Sequence, residues 1–282
     1  MGDILKTYVQ RIKELPTLPP IAHKILVLAN DPLLSIDELM DIVEIDPAIS
    51  AKILSVANSV FFGYPVRTTQ LNDAIMRIGT NNVKSIAIGI AILSSLGSGQ
   101  KNNDYKRLYH HSVCVGLTSQ YIATNLRLSI ADDILIDGLL HDLGYLALYK
   151  YFPDIYREIL KSLKDGTPLL EAEKEILSYS HTDVGFWLAD QWKLPSTVVD
   201  AVLYHHTPSL ARRNSKRSAI VHIADYIAAQ KMLFSPVKTA PGYPLDHSAF
   251  DILSISDGDL KDMEESIGNL PFSDEILSLS QC

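Results

Sequence analysis

The sequence predicts an all-α protein assembled from many short helices. Apolar residues recur at three- and four-residue spacing in nearly every segment, and helix-starting residues precede most of those segments. No stretch alternates with period two, and the valines and isoleucines fall at helical spacing, so no substantial sheet is expected. The 282 residues allow one large domain or two modest ones, and 47% hydrophobic with 21% charged residues is an ordinary globular balance.

Leu15-Pro-Thr-Leu-Pro-Pro20 reads as a stiffened lead-in whose proline pair suits the first turn of a helix through Ile21 to Asn30. Ser35 and Glu38 form a capping-box pattern ahead of Leu39 to Ile45. Asp46-Pro47 supplies an N-cap and a first-turn proline for a helix from Ala48 to Ser59. After a loop with Gly63 and Pro65, Asn72 or Asp73 starts a short helix that Gly79 ends. Thr80 caps the next, where Val83, Ile86, Ala87, Ile90 and Ala91 make a broad apolar face. Gly97 to Asp104, small and polar, is the best linker and places a boundary after an N-terminal helical lobe, residues 1–97. A second helical lobe spans 105–232, with helices expected at Tyr105–Leu126, Ala131–Tyr145, Pro153–Lys164, Leu169–Tyr179, Thr182–Trp192, Ser196–His205 and Ser215–Met232. Residues 233–282 read as a tail, loop-rich through Pro236, Pro241 and Pro244, that returns to short helices near Asp259–Ile267 and Ser273–Leu279 and packs back on the bundle.

A formal net charge of −8 and a pI near 5.5 argue against broad binding to nucleic acid or to anionic membrane. The one basic cluster, Arg212-Arg213 with Lys216 and Arg217, reads as a solvated loop before a helix. Cys114 and Cys282 match no metal or redox spacing, which fits a reducing compartment. The first residues lack a signal-peptide pattern, and the oiliest run, Ile86 to Leu96, is too short for a bilayer. A soluble, cytoplasmic protein is expected, with no nucleic-acid or membrane partner.

Leu135-Ile-Asp-Gly-Leu-Leu-His-Asp-Leu-Gly-Tyr145 organises the chemistry. It sets His141 beside Asp142 in an oily run and then meets Gly144, which reads as a helix-ending glycine in the left-handed conformation. Burying such groups unpaired costs on the order of 2 to 7 kcal/mol for a neutral group and more for a carboxylate. A metal ion is one partner that removes this cost. Other candidates follow: His110-His111 early in a helix, His181 directly after the N-cap Ser180 with Asp183 at the third position, His205-His206 at a helix end, and Asp225 inside an apolar helix. At His181 the helix dipole is expected to favour the neutral, ligand-competent ring. Taken singly each has a structural reading, as a packed or helix-end histidine or as an aspartate paired with arginine.

In order, His111, His141-Asp142 and Asp225 resemble the ligands of the HD superfamily of all-helical, metal-dependent phosphohydrolases. His181 and His205-His206 resemble the added ligands of its HD-GYP branch, which hydrolyses cyclic di-GMP. The whole chain most resembles a third branch, the HDOD (HD-related output domain) proteins. The motifs that carry this are the Leu15–Pro19 lead-in, Asp46-Pro-Ala with Lys52-Ile-Leu and Ala57-Asn-Ser59, Ala74-Ile-x-x-Ile-Gly79, Gly138 to Gly144, Glu173, His181 with Val184-Gly185, Trp192 with Leu194-Pro195, and His205-His206. The resemblance implies an N-terminal bundle packed on an HD-like lobe. It also implies a divalent-metal site at His111, His141, Asp142, His181, His205, His206 and Asp225 for one or two ions, with Fe or Mn favoured. It implies a bacterial signal-transduction output module, non-catalytic, that works with signalling proteins in trans. HDOD proteins often lack HD ligands, and this chain keeps all seven. It departs from HD-GYP in having Tyr145 where that branch has lysine, and Gly242-Tyr243-Pro244 stands far from His205-His206 and reads as coincidence. The alternative is a working phosphohydrolase or cyclic-dinucleotide phosphodiesterase.

Overall fold

The computed structural model describes residues 17–29, 35–62, 64–97, 103–230 and 245–269, and every regular element among them is helical, as the sequence predicts. Leu15-Pro16, Asn30, Gly63, linker residues 98–102, the end of the helix expected to reach Met232, the prolines at 236, 241 and 244, Gly242-Tyr243-Pro244, the helix expected at Ser273–Leu279 and Cys282 lie outside the described residues.

Five helices come first: α1 (Pro20–Ala29), α2 (Ile36–Glu44), α3 (Pro47–Ala57), α4 (Leu71–Ile78) and α5 (Thr80–Gly97). Their starts are locally encoded. Ser35 and Glu38 close a reciprocal capping box, and the Asp46 carboxylate accepts the N–H groups of Ala48 and Ile49 while Pro47 opens α3. Thr80 is the first helical residue of α5 rather than its cap, and Asp73 accepts the Thr68 hydroxyl at 3.1 Å, bracing the loop before α4.

The remaining helices are α6 (Asn103–Asn125), α7 (Leu135–Leu140), α8 (Leu143–Tyr151), α9 (Pro153–Lys164), α10 (Leu169–Leu177), α11 (His181–Gln191), α12 (Ser196–Tyr204), α13 (Ser215–Gln230), α14 (Ser248–Leu253) and α15 (Asp257–Gly268). The single helix expected from Ala131 to Tyr145 is corrected to a 3₁₀ turn, Ser129–Asp132, followed by α7 and α8 with a break at His141-Asp142. Gly144 does not end a helix. It lies in the first turn of α8 without a positive φ, and it is glycine because α11 passes too close for a side chain.

One apolar core runs from Leu18 on the approach to α1 through Leu96, Leu139 and Leu188 to Val202 on α12. A second gathers Ile220, Ile223 and Ile227 of α13 with Val115, Ile122 and Ala123 of α6, Phe250 of α14 and Leu260, Met263 and Ile267 of α15. Helix α13 is therefore buried nearly all round, which makes any polar residue on it significant. Arg217 is such a residue. Read from sequence as part of a solvated basic loop, it is instead 5% exposed, with Nε 2.5 Å from Asp137 Oδ2 and Nη1 2.7 Å from Asp133 Oδ1. Its neighbours Arg212 and Arg213 are exposed.

Candidate metal centre

Five elements deliver the seven predicted residues to one place. His111 comes from α6, His141-Asp142 from the α7–α8 break, His181 from the first position of α11, His205-His206 from the end of α12, and Asp225 from α13. The break explains how two adjacent residues share a site. In an unbroken helix neighbours diverge by about 100°, whereas Asp142 leaves helical geometry at φ −94°, ψ 23°. Six of the seven side chains are buried, and His206 is half-buried.

The Asp142 carboxylate divides the site. Its Oδ2 lies 3.5 Å from His141 Nε2 and 3.8 Å from His111 Nε2; its Oδ1 lies 3.4 Å from His181 Nε2 and 3.7 Å from His205 Nε2. On the first side Asp225 Oδ1 adds contacts of 2.9 Å to His111 Nε2 and 3.9 Å to His141 Nε2. On the second, His181 Nε2 stands 3.1 Å from His206 Nε2 and 3.4 Å from His205 Nε2. Asp225 thus faces histidine, not the arginine that its sequence context left open.

The opposite ring nitrogens fix which atoms face the cluster. His141 Nδ1 is 2.8 Å from the Gly138 carbonyl, and His205 Nδ1 is 3.0 Å from that of Val202. A carbonyl only accepts, so both Nδ1 atoms carry hydrogen, and each ring in its ligand-competent form turns the Nε2 lone pair inward. His141 Nε2, in a fully buried ring, has no hydrogen-bond partner among the described residues. Facing lone pairs and two buried carboxylates together call for a cation. Imidazole nitrogens with carboxylate oxygens suit Fe, Mn, Zn or Ni better than Mg or Ca, so the residues present fit a divalent transition metal.

Electrostatics separate the histidines. Burial, with His141 and His181 nearby, drives His205 down to about 3, and burial beside His205 holds His206 well below the usual range. Burial also pulls His181 down, but the carboxylates of Glu173 and Asp142 outweigh it and bring the ring to about 9. The expectation that the α11 dipole keeps His181 neutral is therefore corrected. Glu173 accepts the His181 main-chain N–H at 2.9 Å and sits 2.8 Å from its Nδ1. For Asp142 and Asp225 burial opposes ionisation, yet the surrounding histidines keep both carboxyls below their ordinary range.

The sequence reading noted Glu173 as a motif residue without giving it a role. The available signal was a carboxylate at helical spacing on the apolar face of Leu169, Ala172 and Leu177, eight positions before His181, and the structure buries it completely. It fixes the His181 ring with Nε2 toward the centre, an arrangement that raises ligand basicity. Glu173→Gln is expected to lower metal affinity by about 10- to 100-fold, measured by competition with a chelator; unchanged affinity would remove this orienting role.

Fold and site together define an all-helical protein with a buried histidine–aspartate centre of metal-binding composition. The chain belongs to the HDOD family: the HDOD domain matches residues 15–208. The match stops short of α13, so Asp225 lies beyond it. A solved HDOD domain protein of unknown function from Geobacter sulfurreducens superposes with a TM-score of 0.74 at 23% identity, covering 98% of this chain and 91% of that one. A candidate phosphohydrolase from Shewanella amazonensis SB2B gives 0.73 at 20% identity, over 97% and 96%. A candidate signal-transduction protein from Marinobacter aquaeolei VT8 gives 0.71 at 21% identity, over 95% of this chain and 59% of that one. An uncharacterised protein of Treponema pallidum (strain Nichols) is 26% identical over 214 residues, and the match covers 70% of this chain but only 38% of that protein's length. No helix among the described residues is long and apolar enough to cross a membrane.

Proposed function

We propose that this protein is a bacterial, cytoplasmic signalling module of the HDOD type that holds one or two divalent ions, Fe or Mn, as a structural or sensing element and acts on signalling proteins in trans. The observation that carries the metal-binding reading is the division of the Asp142 oxygens between two buried histidine pairs. His111, His141 and Asp225 with Asp142 Oδ2 would hold one ion, and His181, His205 and His206 with Asp142 Oδ1 the other, His205 standing also within reach of His141 and Asp225. Each group offers four protein donors, which would close a tetrahedral zinc site but would leave six-coordinate Fe or Mn with positions for water or a small sensed ligand. The acidic surface, with a net charge of −8, supports protein rather than nucleic-acid partners.

Elemental analysis of protein purified without chelator or affinity-column metal tests this. Wild type is expected to carry one or two Fe or Mn per chain, and Asp142→Ala, which removes the shared ligand, is expected to carry none and to melt at a lower temperature. Wild type without metal, or a variant with undiminished metal, defeats the reading.

The completeness of the ligand set favours a second reading, a metal-dependent phosphohydrolase or cyclic-dinucleotide phosphodiesterase. A bound ion would supply Lewis acidity toward a phosphoryl oxygen and activation of water. The protein's own part would be to hold the ions at fixed spacing through Asp142 and to exclude bulk solvent. Hydrolysis of a phosphodiester by Mn- or Fe-loaded wild type, absent in Asp142→Ala, would establish it.

A further inference from the structure

His222 lies on α13 one turn before Asp225, is 2% exposed, and belongs to neither ligand group. Its Nε2 accepts the main-chain N–H of Asp246 at 2.9 Å, and its Nδ1 stands 2.7 Å from the carbonyl oxygen of His205. Both partners are main chain and neither can change role. An N–H only donates and a carbonyl only accepts, so the ring is neutral with its hydrogen on Nδ1, donated to His205. Each nitrogen is committed, and each holds a different part of the chain.

Those two parts are the ligand-bearing turn and the start of the C-terminal helices. Asp246 anchors α14: its Oδ1 accepts the Ser248 N–H at 2.9 Å, and its carbonyl accepts the Ala249 N–H at 3.0 Å. Helix α14 packs on α13, and Phe250 of α14 with Leu260, Met263 and Ile267 of α15 shares one apolar cluster with α13 and with Val115, Ile122 and Ala123 of α6. Helix α14 also packs on the 3₁₀ turn Pro208–Leu210, two residues past His206. The same C-terminal unit therefore reaches the His205-His206 turn by two routes, one by packing on the 3₁₀ turn and one through a single imidazole. By contrast His111 and Asp225 project from the interiors of α6 and α13, which hold their own main-chain hydrogen bonds.

We propose that α14 and α15 act as a regulatory cap, and that His222 is the positioning residue through which the seating of the cap sets His205 and His206. A displacement of the cap then loosens the metal group formed by His181, His205 and His206 and spares the group formed by His111, His141 and Asp225. The metal consequence rests on the metal-binding reading; the mechanical coupling does not.

Three variants and two readouts test it. His222→Phe keeps a ring and removes both hydrogen bonds, His222→Gln restores one donor and one acceptor, and Phe250→Ala loosens the cap from its apolar side. Hydrogen exchange is expected to quicken in His222→Phe at residues 203–211 and 245–253 together, with α8 unchanged, and to return toward wild type in His222→Gln. Metal affinity is expected to fall about tenfold or more at one of the two sites in His222→Phe, and Phe250→Ala should reproduce that loss without touching the ring. A merely structural His222 would lower stability across the whole chain and leave metal affinity intact in Phe250→Ala, and that result overturns the proposal. Faster exchange in only one of the two segments overturns it as well. Wild type without metal would defeat the functional reading, while the exchange pattern would still decide whether cap and turn are coupled.

Discussion

Gly144→Ala is expected to destabilise the protein by about 4 kcal/mol or more, although alanine is the better helix former by about 1 kcal/mol. A Cβ at this position would stand 1.8 Å from the His181 carbonyl oxygen and 2.5 Å from the Gly185 nitrogen. Both are main-chain atoms, so no rotamer relieves the clash and α8 must move off α11. The displacement reaches the site directly. Asp142 immediately precedes α8 and His181 opens α11, so the 3.4 Å approach of Asp142 Oδ1 to His181 Nε2 opens with it. Gly185→Ala should cost less, because its tightest contact, at 2.5 Å, is the Val202 Cγ1 methyl, which has some freedom to shift. Gly258→Ala, which meets only Ser256 Oγ at 3.5 Å, should be neutral or slightly stabilising. Denaturant unfolding ranks the three; a Gly144→Ala cost below about 1 kcal/mol would show that the two helices are not in fixed contact.

The same glycine shows what the sequence could and could not tell. Features set by neighbours in the chain were legible: the Ser35–Glu38 box, the Asp46-Pro47 start, and polar residues stranded in apolar runs, which marked all seven members of the site. Features set by contacts across the fold were misread in a consistent direction. Gly144 has the local look of a helix end, but its requirement comes from α11. Arg217 has basic, solvated neighbours, but its partners lie 80 and 84 positions earlier. His181 sits at a helix start, where the local dipole argues for a neutral ring, and a carboxylate from another helix reverses the balance. The break at His141-Asp142 has no local helix breaker at all. It turns the adjacent His141 and Asp142 to one cluster with residues of α6, α11, α12 and α13, so it is legible only from contacts across the fold.

Arg217→Met is expected to cost about 3 to 5 kcal/mol near pH 8, and less in acid. Methionine keeps most of the apolar stem, so the loss reads the charge. Asp137 is fully buried, and its Oδ1 has no hydrogen-bond partner among the described residues, which leaves Arg217 as the group that offsets its desolvation. Burial pushes the Asp137 carboxyl up to about 6 even against the pull of the guanidinium. A folded pKa above the ordinary 3.8 means that the folded state binds the proton more tightly. The Asp137 contribution is therefore fullest below about 3.8 and is lost as pH rises through about 6. Without Arg217 the carboxyl rises further, so the difference between wild type and variant should be small near pH 5 and large near pH 8. Asp133, whose side chain is 52% exposed, remains solvated and adds little. The double variant Asp137→Asn/Arg217→Met should recover most of the loss, because no charge is left stranded. The pair also bears on the candidate metal site. Asp137 is one turn before His141 and Arg217 two turns before Asp225, so their bond joins the two helices that bring His141 Nε2 to 3.9 Å from Asp225 Oδ1. Arg217→Met should therefore weaken the His111, His141 and Asp225 group first, the opposite of what His222→Phe does. A pH-independent cost with equal metal loss from both groups would mean that the pair only stabilises the fold.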